Sequence, residues 1–144
     1  MSASQSPESR PDAPLKCFLV EDSPMIRENL IATLQEMLEI EVQGFAAEEA
    51  TAIRWLAASD NQCDVVIIDI FLRSGSGLEV LRHARHLLPE AHLVVLTNFA
   101  TQDMRRRCRE LGADAVFDKS AELEELLVYC GNLRRERTDG GGHA

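Results

Sequence analysis

The chain has 144 residues, 45% of them hydrophobic, which suits one domain with a buried core. Fifteen Lys and Arg against 24 Asp and Glu leave a formal charge of −9, which argues against a basic nucleic-acid-binding face. No apolar run reaches membrane-spanning length and the first residues hold no apolar signal core, so a cytoplasmic protein is expected.

Residues 1–14 are rich in Ser, Pro and Glu without periodicity and predict a disordered arm. The first β-like run, Leu15 to Val20, stops at Glu21-Asp22. Ser23-Pro24 then offers an N-cap followed by Pro at the first helical position. Ile26, Leu30, Leu34, Met37 and Leu38 recur at helical spacing. A second strand is expected over Glu41 to Phe45. Ala46, Ala50, Ile53 and Ala57 mark the next helix, with Trp55 and Leu56 widening its apolar face. The third strand, Asp64 to Asp69, ends on its own acid.

Ser74-Gly75-Ser76-Gly77 reads as a loop. Leu78, Leu81, Ala84 and Leu88 mark a third helix that Pro89 ends. The fourth strand runs from His92 to Thr97. A polar helix follows from Thr101 to Leu111, with Gly112 as its C-cap. A short fifth strand covers Ala115 to Phe117, and Asp118-Lys119 follows it. Leu123, Leu126, Leu127 and Cys130 give the last helix its stripe. Residues 138–144, with Gly140-Gly141-Gly142, predict a flexible tail.

Four cysteines stand at positions 17, 63, 108 and 130, without C-x-x-C or metal-ligand spacing. Cys17 and Cys130 read as small buried hydrophobes, Cys63 and Cys108 as partly exposed. The arginine-rich stretches Arg105-Arg106-Arg107 and Arg134-Arg135-Glu136-Arg137 read as solvated helix faces or ends.

Strands alternating with helices predict a doubly wound α/β fold with a parallel sheet. Ligands of such folds bind beyond the carboxyl ends of the strands. Glu21, Asp22, Asp69, Thr97 and Lys119 all fall there. The three acids suit a hard divalent cation such as Mg²⁺. A carboxylate beside it can act as a nucleophile toward phosphorus. Thr97 could donate to a phosphoryl oxygen, and Lys119 could supply positive charge. Other phosphate sites fit poorly: the first strand is followed neither by G-x-G-x-x-G nor by a Walker loop. No G-x-S-x-G elbow is present.

The segments FLVEDSPMIR, VVIIDIFLRSGSGLEVLR, VVLTNFA and GADAVFDKS resemble the receiver domain of two-component response regulators. The resemblance implies a flavodoxin-like (βα)₅ sandwich with strand order 2-1-3-4-5, over residues 15–137. It implies Asp69 as phosphoacceptor, with Thr97 as switch hydroxyl and Lys119 as phosphate-pairing cation. Mg²⁺ would be held by Glu21, Asp22, Asp69 and the backbone carbonyl of Phe71. The phosphoryl donor would be a histidine kinase or a phosphotransfer protein. Output would run through protein contact at the fourth helix, fifth strand and fifth helix. A stand-alone receiver is expected, monomer or weak dimer, binding neither DNA nor membrane, and not an enzyme on a separate substrate. The alternative is a receiver-fold interaction module that works without phosphorylation. A small Mg²⁺-dependent phosphatase lacks its second Asp, since Phe71 stands two residues beyond Asp69.

Three positions depart from the family pattern. Val116 stands where members usually carry the aromatic of the switch, with Phe117 on the opposite side of the strand by alternation. Ser120 replaces the usual Pro after the lysine, so a trans Lys119-Ser120 bond is expected. Asn98 follows Thr97 where a small residue is usual. Phe71 and Phe99, each two residues beyond a site residue, are expected to flank the site.

Overall fold

Among the described residues, each strand ends on a polar or charged residue or within two residues of one, and the sheet register brings those ends together. The computed structural model describes residues 14–58 and 63–141, with side chains as far as Glu136. The elements are β1 (Lys16–Val20), α1 (Pro24–Met37), β2 (Glu41–Ala46), α2 (Glu49–Ala57) and β3 (Val65–Asp69). Then follow α3 (Gly77–Leu87), β4 (His92–Thr97), α4 (Gln102–Glu110), β5 (Ala115–Asp118) and α5 (Leu123–Gly141). The sheet is parallel with order β2-β1-β3-β4-β5.

Alternation splits the strands between two cores. Phe18, Val20, Val66 and Ile68 pack with Leu56 of α2, Leu81 of α3 and Cys108 of α4. Cys17, Leu19, Ile67 and Leu96 pack with Leu30 and Leu34 of α1 and Leu126 of α5. Helices therefore cover both faces, which is why β3 is buried at all five positions and β4 at all but its first. Edge strand β2 alternates between exposed and half-buried residues as far as Phe45, and only Ala46 at its end is buried.

The Ser23-Pro24 signal starts α1 as expected. Ser23 Oγ accepts from the Ile26 N–H, with Pro24 at the first position of α1. Ser76 and Thr101 cap α3 and α4 in the same way. Gly112 ends α4 at φ 113, a left-handed conformation that a side chain would strain.

Five details differ from the sequence reading. Ala46 is the last residue of β2, and α2 begins only at Glu49. The buried residues of α2 are Ala52 and Leu56, while Ala50 and Ala57 face solvent. Alanines tolerate either side, so the larger Leu56 and Trp55 set the face, Trp55 stacking on Phe18 at 4.0 Å. Met37, taken for the apolar stripe of α1, is 76% exposed in the last turn. Cys108, taken as partly exposed, is fully buried between α4 and the sheet. Finally, α5 is helical to Gly141, so it takes in the first four residues of the expected tail. Residues 1–13 and 142–144 lie outside the described residues. No helix among the described residues is long and apolar enough to cross a membrane.

Candidate functional site

Val20 pairs with Ile68, Asp69 with Leu96 and Thr97 with Asp118. This register sets Glu21, Asp69, Thr97 and Lys119 side by side at the carboxyl edge of the sheet. Of these, Glu21, Asp69 and Thr97 are buried. An open cleft of about 260 Å³ forms there, its wall including Glu21, Asp22, Asp69, Phe71 and Lys119. Thr97 does not line this cleft, but Asn98 and Phe99 do.

Each acid is held by the turn it sits in. Glu21 Oε2 accepts from the Ser23 N–H at 3.0 Å, and Arg27 Nη1 donates to the Glu21 carbonyl. Asp22 Oδ2 accepts from the Arg73 N–H at 2.8 Å, tying the end of β1 to the loop after β3. Asp69 Oδ1 accepts from the Phe71 N–H at 3.2 Å. Lys119 Nζ lies 2.9 Å from both Asp69 Oδ2 and Glu21 Oε1. The Thr97 hydroxyl accepts from the Phe99 N–H at 3.1 Å, and the Lys119 N–H donates to the Thr97 carbonyl. All six site residues expected from the sequence are thus brought to one edge, with Phe71 on the wall of the cleft.

Burial pushes the Asp69 carboxyl above its ordinary range. The bond from Lys119 opposes this, and the neighbouring Glu21 charge adds to it. Burial works against the charge of Lys119, yet its contacts with Glu21 and Asp69 outweigh burial and raise its pKa. Three carboxylates around one ammonium leave excess negative charge. Ligand oxygens of Glu21, Asp22 and Asp69 lie within 4.8 Å of one another. That all-oxygen set, two of its three residues buried, fits a hard divalent cation.

Two rings stand over the cleft. Phe71 and Phe99 meet edge to face, centroids 4.9 Å apart, and each is more than half exposed. Val116 is buried toward α4 and Phe117 packs on Tyr129 of α5, so the two do lie on opposite faces. Among the described residues no peptide bond is cis. The turn after β5 is built without Pro: Asp118 Oδ1 accepts from the N–H groups of Ser120 and Ala121 and from the Ser120 hydroxyl.

Sequence reading missed three supporting residues. Glu49 Oε1 accepts from the Ser76 N–H and holds the loop after β3 against α2. Arg105 and Glu122 join the loops after β4 and β5. The only sequence signal was charge beside a helix start, which does not name a partner 17 or 27 residues away.

A parallel 2-1-3-4-5 sheet with an acidic cleft at its carboxyl edge defines a flavodoxin-like α/β protein. The family model for the response regulator receiver domain matches residues 17–130, and the chain belongs to that family. The response regulator MprA of Mycolicibacterium vanbaalenii is 32% identical over 136 residues, covering 91% of this chain and 56% of that protein. The transcriptional regulatory protein LiaR of Bacillus subtilis is 27% identical over 112 residues, covering 78% and 52%. The chain spans about half the length of these curated relatives.

Among solved structures, a LuxR-family response regulator from Aurantimonas sp. matches with a TM-score of 0.75 at 24% identity, covering 86% of this chain and 87% of that one. The phosphorylated cyanobacterial phytochrome response regulator RcpA matches at 0.69 and 25% identity, covering 86% and 94%.

Proposed function

We propose that this receiver domain accepts a phosphoryl group on Asp69 in a Mg²⁺-dependent reaction, donated by a histidine kinase or a phosphotransfer protein. One observation carries the reading: Lys119 Nζ stands 2.9 Å from both Asp69 Oδ2 and Glu21 Oε1, at the mouth of a cleft lined by the third acid. The phosphorylated relative RcpA is in keeping with it.

An Asp69 oxygen attacks phosphorus. As the new oxygen–phosphorus bond forms, the bond to the donor nitrogen breaks and its electron pair returns to the imidazole. Lys119 neutralises charge gathering on the phosphoryl oxygens. Thr97 Oγ1 accepts from Phe99, which leaves its own proton to donate to a phosphoryl oxygen. Glu21, Asp22, Asp69 and the Phe71 carbonyl would hold Mg²⁺, which would supply further charge neutralisation when bound. Glu21 and Asp22 keep their orientation through Ser23 and Arg73.

The chain acts on its own aspartate rather than turning over a separate substrate. Output runs through protein contact at α4, β5 and α5. The test is phosphotransfer profiling against the kinases of the host, with Asp69→Asn as control. One kinase is expected to label the wild type quickly and the variant not at all. Equal labelling of Asp69→Asn, or no labelling by any donor, overturns the assignment and leaves the phosphorylation-independent module.

A further inference from the structure

Arg105 sits in the first turn of α4 and is the one residue of its arginine triplet that turns inward. Arg106 pairs with Asp103 along the helix, and Arg107 is exposed. The Arg105 guanidinium instead makes three bonds to three different segments. Nε donates to the Ala100 carbonyl at 3.0 Å, Nη1 to the Val116 carbonyl at 2.9 Å, and Nη2 to Glu122 Oε1 at 2.7 Å. The same Glu122 oxygen accepts from the Asp118 N–H at 2.8 Å.

The spacing gives these bonds their meaning. Ala100 lies three residues beyond Thr97, and Glu122 three beyond Lys119. Val116 lies three before Lys119, on the strand between. One planar cation therefore joins the loop that carries Thr97 to the loop that carries Lys119, and anchors both to α4. A guanidinium suits this work because its donors are fixed in one plane and stay charged. Val116 is a buried aliphatic and has no ring to swing.

We propose that Arg105 is a positioning residue that couples these two loops to each other and to α4. A ligand drawing Thr97 and Lys119 toward one phosphoryl group moves both loops, and α4 follows through the guanidinium. The coupling to phosphorylation rests on reading Asp69 as the acceptor; the clamp itself does not.

Amide hydrogen exchange tests both parts, on the free protein and with Mg²⁺ and beryllofluoride as the phosphoryl mimic. In the free protein, Arg105→Met and Glu122→Gln are each expected to raise exchange at the Asp118 amide about tenfold, the scale of one lost charge-assisted hydrogen bond. With the mimic, wild type is expected to change exchange at residues 98–100, in α4 and at residues 118–123 together. Arg105→Met keeps the change beside Asp69 and loses it in α4. Arg105→Lys retains a charge for Glu122 but cannot serve three acceptors, so it keeps the melting temperature of wild type and still loses the α4 response. A merely structural arginine would be rescued by lysine in both readouts.

Unchanged Asp118 exchange in both the Met and Gln variants overturns the clamp. An α4 response that survives in either Arg105→Met or Arg105→Lys overturns the coupling. If wild type itself ignores the mimic, the phosphoacceptor reading and the coupling fail, while the free-protein exchange still decides the clamp.

Discussion

Asp69 carries a cost that its neighbours only partly offset. The residue is 4% exposed and its carboxyl faces Glu21, and burial raises its pKa above the ordinary value. A raised pKa means that the charged form is less favoured in the folded chain than in the unfolded one. Stability tied to Asp69 is therefore full below the unfolded pKa, near 3.8, and is lost as pH rises through the folded pKa. Without divalent cation, Asp69→Asn should be more stable than wild type at pH 7, and the gain should vanish toward about pH 4. Urea midpoints at the two pH values check this, and a variant less stable at pH 7 would contradict it.

The two rings over the cleft make a second prediction at this scale. Phe71 and Phe99 are 51% and 58% exposed, so core packing does not explain them. They touch each other and line the cleft beside Asp69, where they are expected to hinder attacking water. Phe71→Asn with Phe99→Ala should shorten the lifetime of the phosphorylated state several-fold with little change in stability. Hydrolysis no faster than wild type would sink the idea. Phe71 and Phe99 were legible beforehand because each stands two residues beyond a strand-end site residue.

At the scale of elements, the turn from β3 into α3 depends on one missing side chain. A Cβ on Gly77 would lie 2.0 Å from the Asp69 carbonyl oxygen and 2.6 Å from the Ile70 Cα. Both are backbone atoms of the segment that presents the acid, so neither yields without moving it. The Gly77 N–H also donates to the Ile70 carbonyl at 2.8 Å. Gly77→Ala should cost about 3 kcal/mol, the upper end for ordinary point substitutions. Urea unfolding measures it, and a loss under about 0.5 kcal/mol would refute the steric account.

Caps and strand ends were legible because each is a local event. Ser23 with Pro24, and Gly112, announced their elements within a few residues. The start of α2 was not legible, because Glu48 at its N-cap makes no side-chain cap bond and the alanines around it suit either a strand end or a helix. The end of α5 was misjudged because Gly140 and Gly141 disfavour helix interiors, yet the helix includes both.

At the scale of the whole molecule, the apolar pattern showed that strands were central, and acids at their ends pointed to the edge where the cleft forms. The pattern gives a face and an edge, but it does not give atomic partners. Asp22 reaches Arg73 across 51 residues, and Glu49 reaches Ser76 across 27. Such bonds follow from the packing of helices on the sheet, which no local periodicity encodes. The departures at Val116 and Ser120 mark the same boundary. The sequence showed what was missing there, and the structure showed the Asp118 turn and the Arg105 bonds that occupy the region.

We propose that the sheet edge makes Asp69 a phosphoryl acceptor. The most direct measurement is the intact mass of the protein after incubation with acetyl phosphate and Mg²⁺, followed by mapping of the modified peptide. The expected result is the addition of one phosphoryl group, on Asp69, abolished by chelating the metal and absent from Asp69→Asn. No mass gain in wild type, or a modification mapped to another residue, would contradict it.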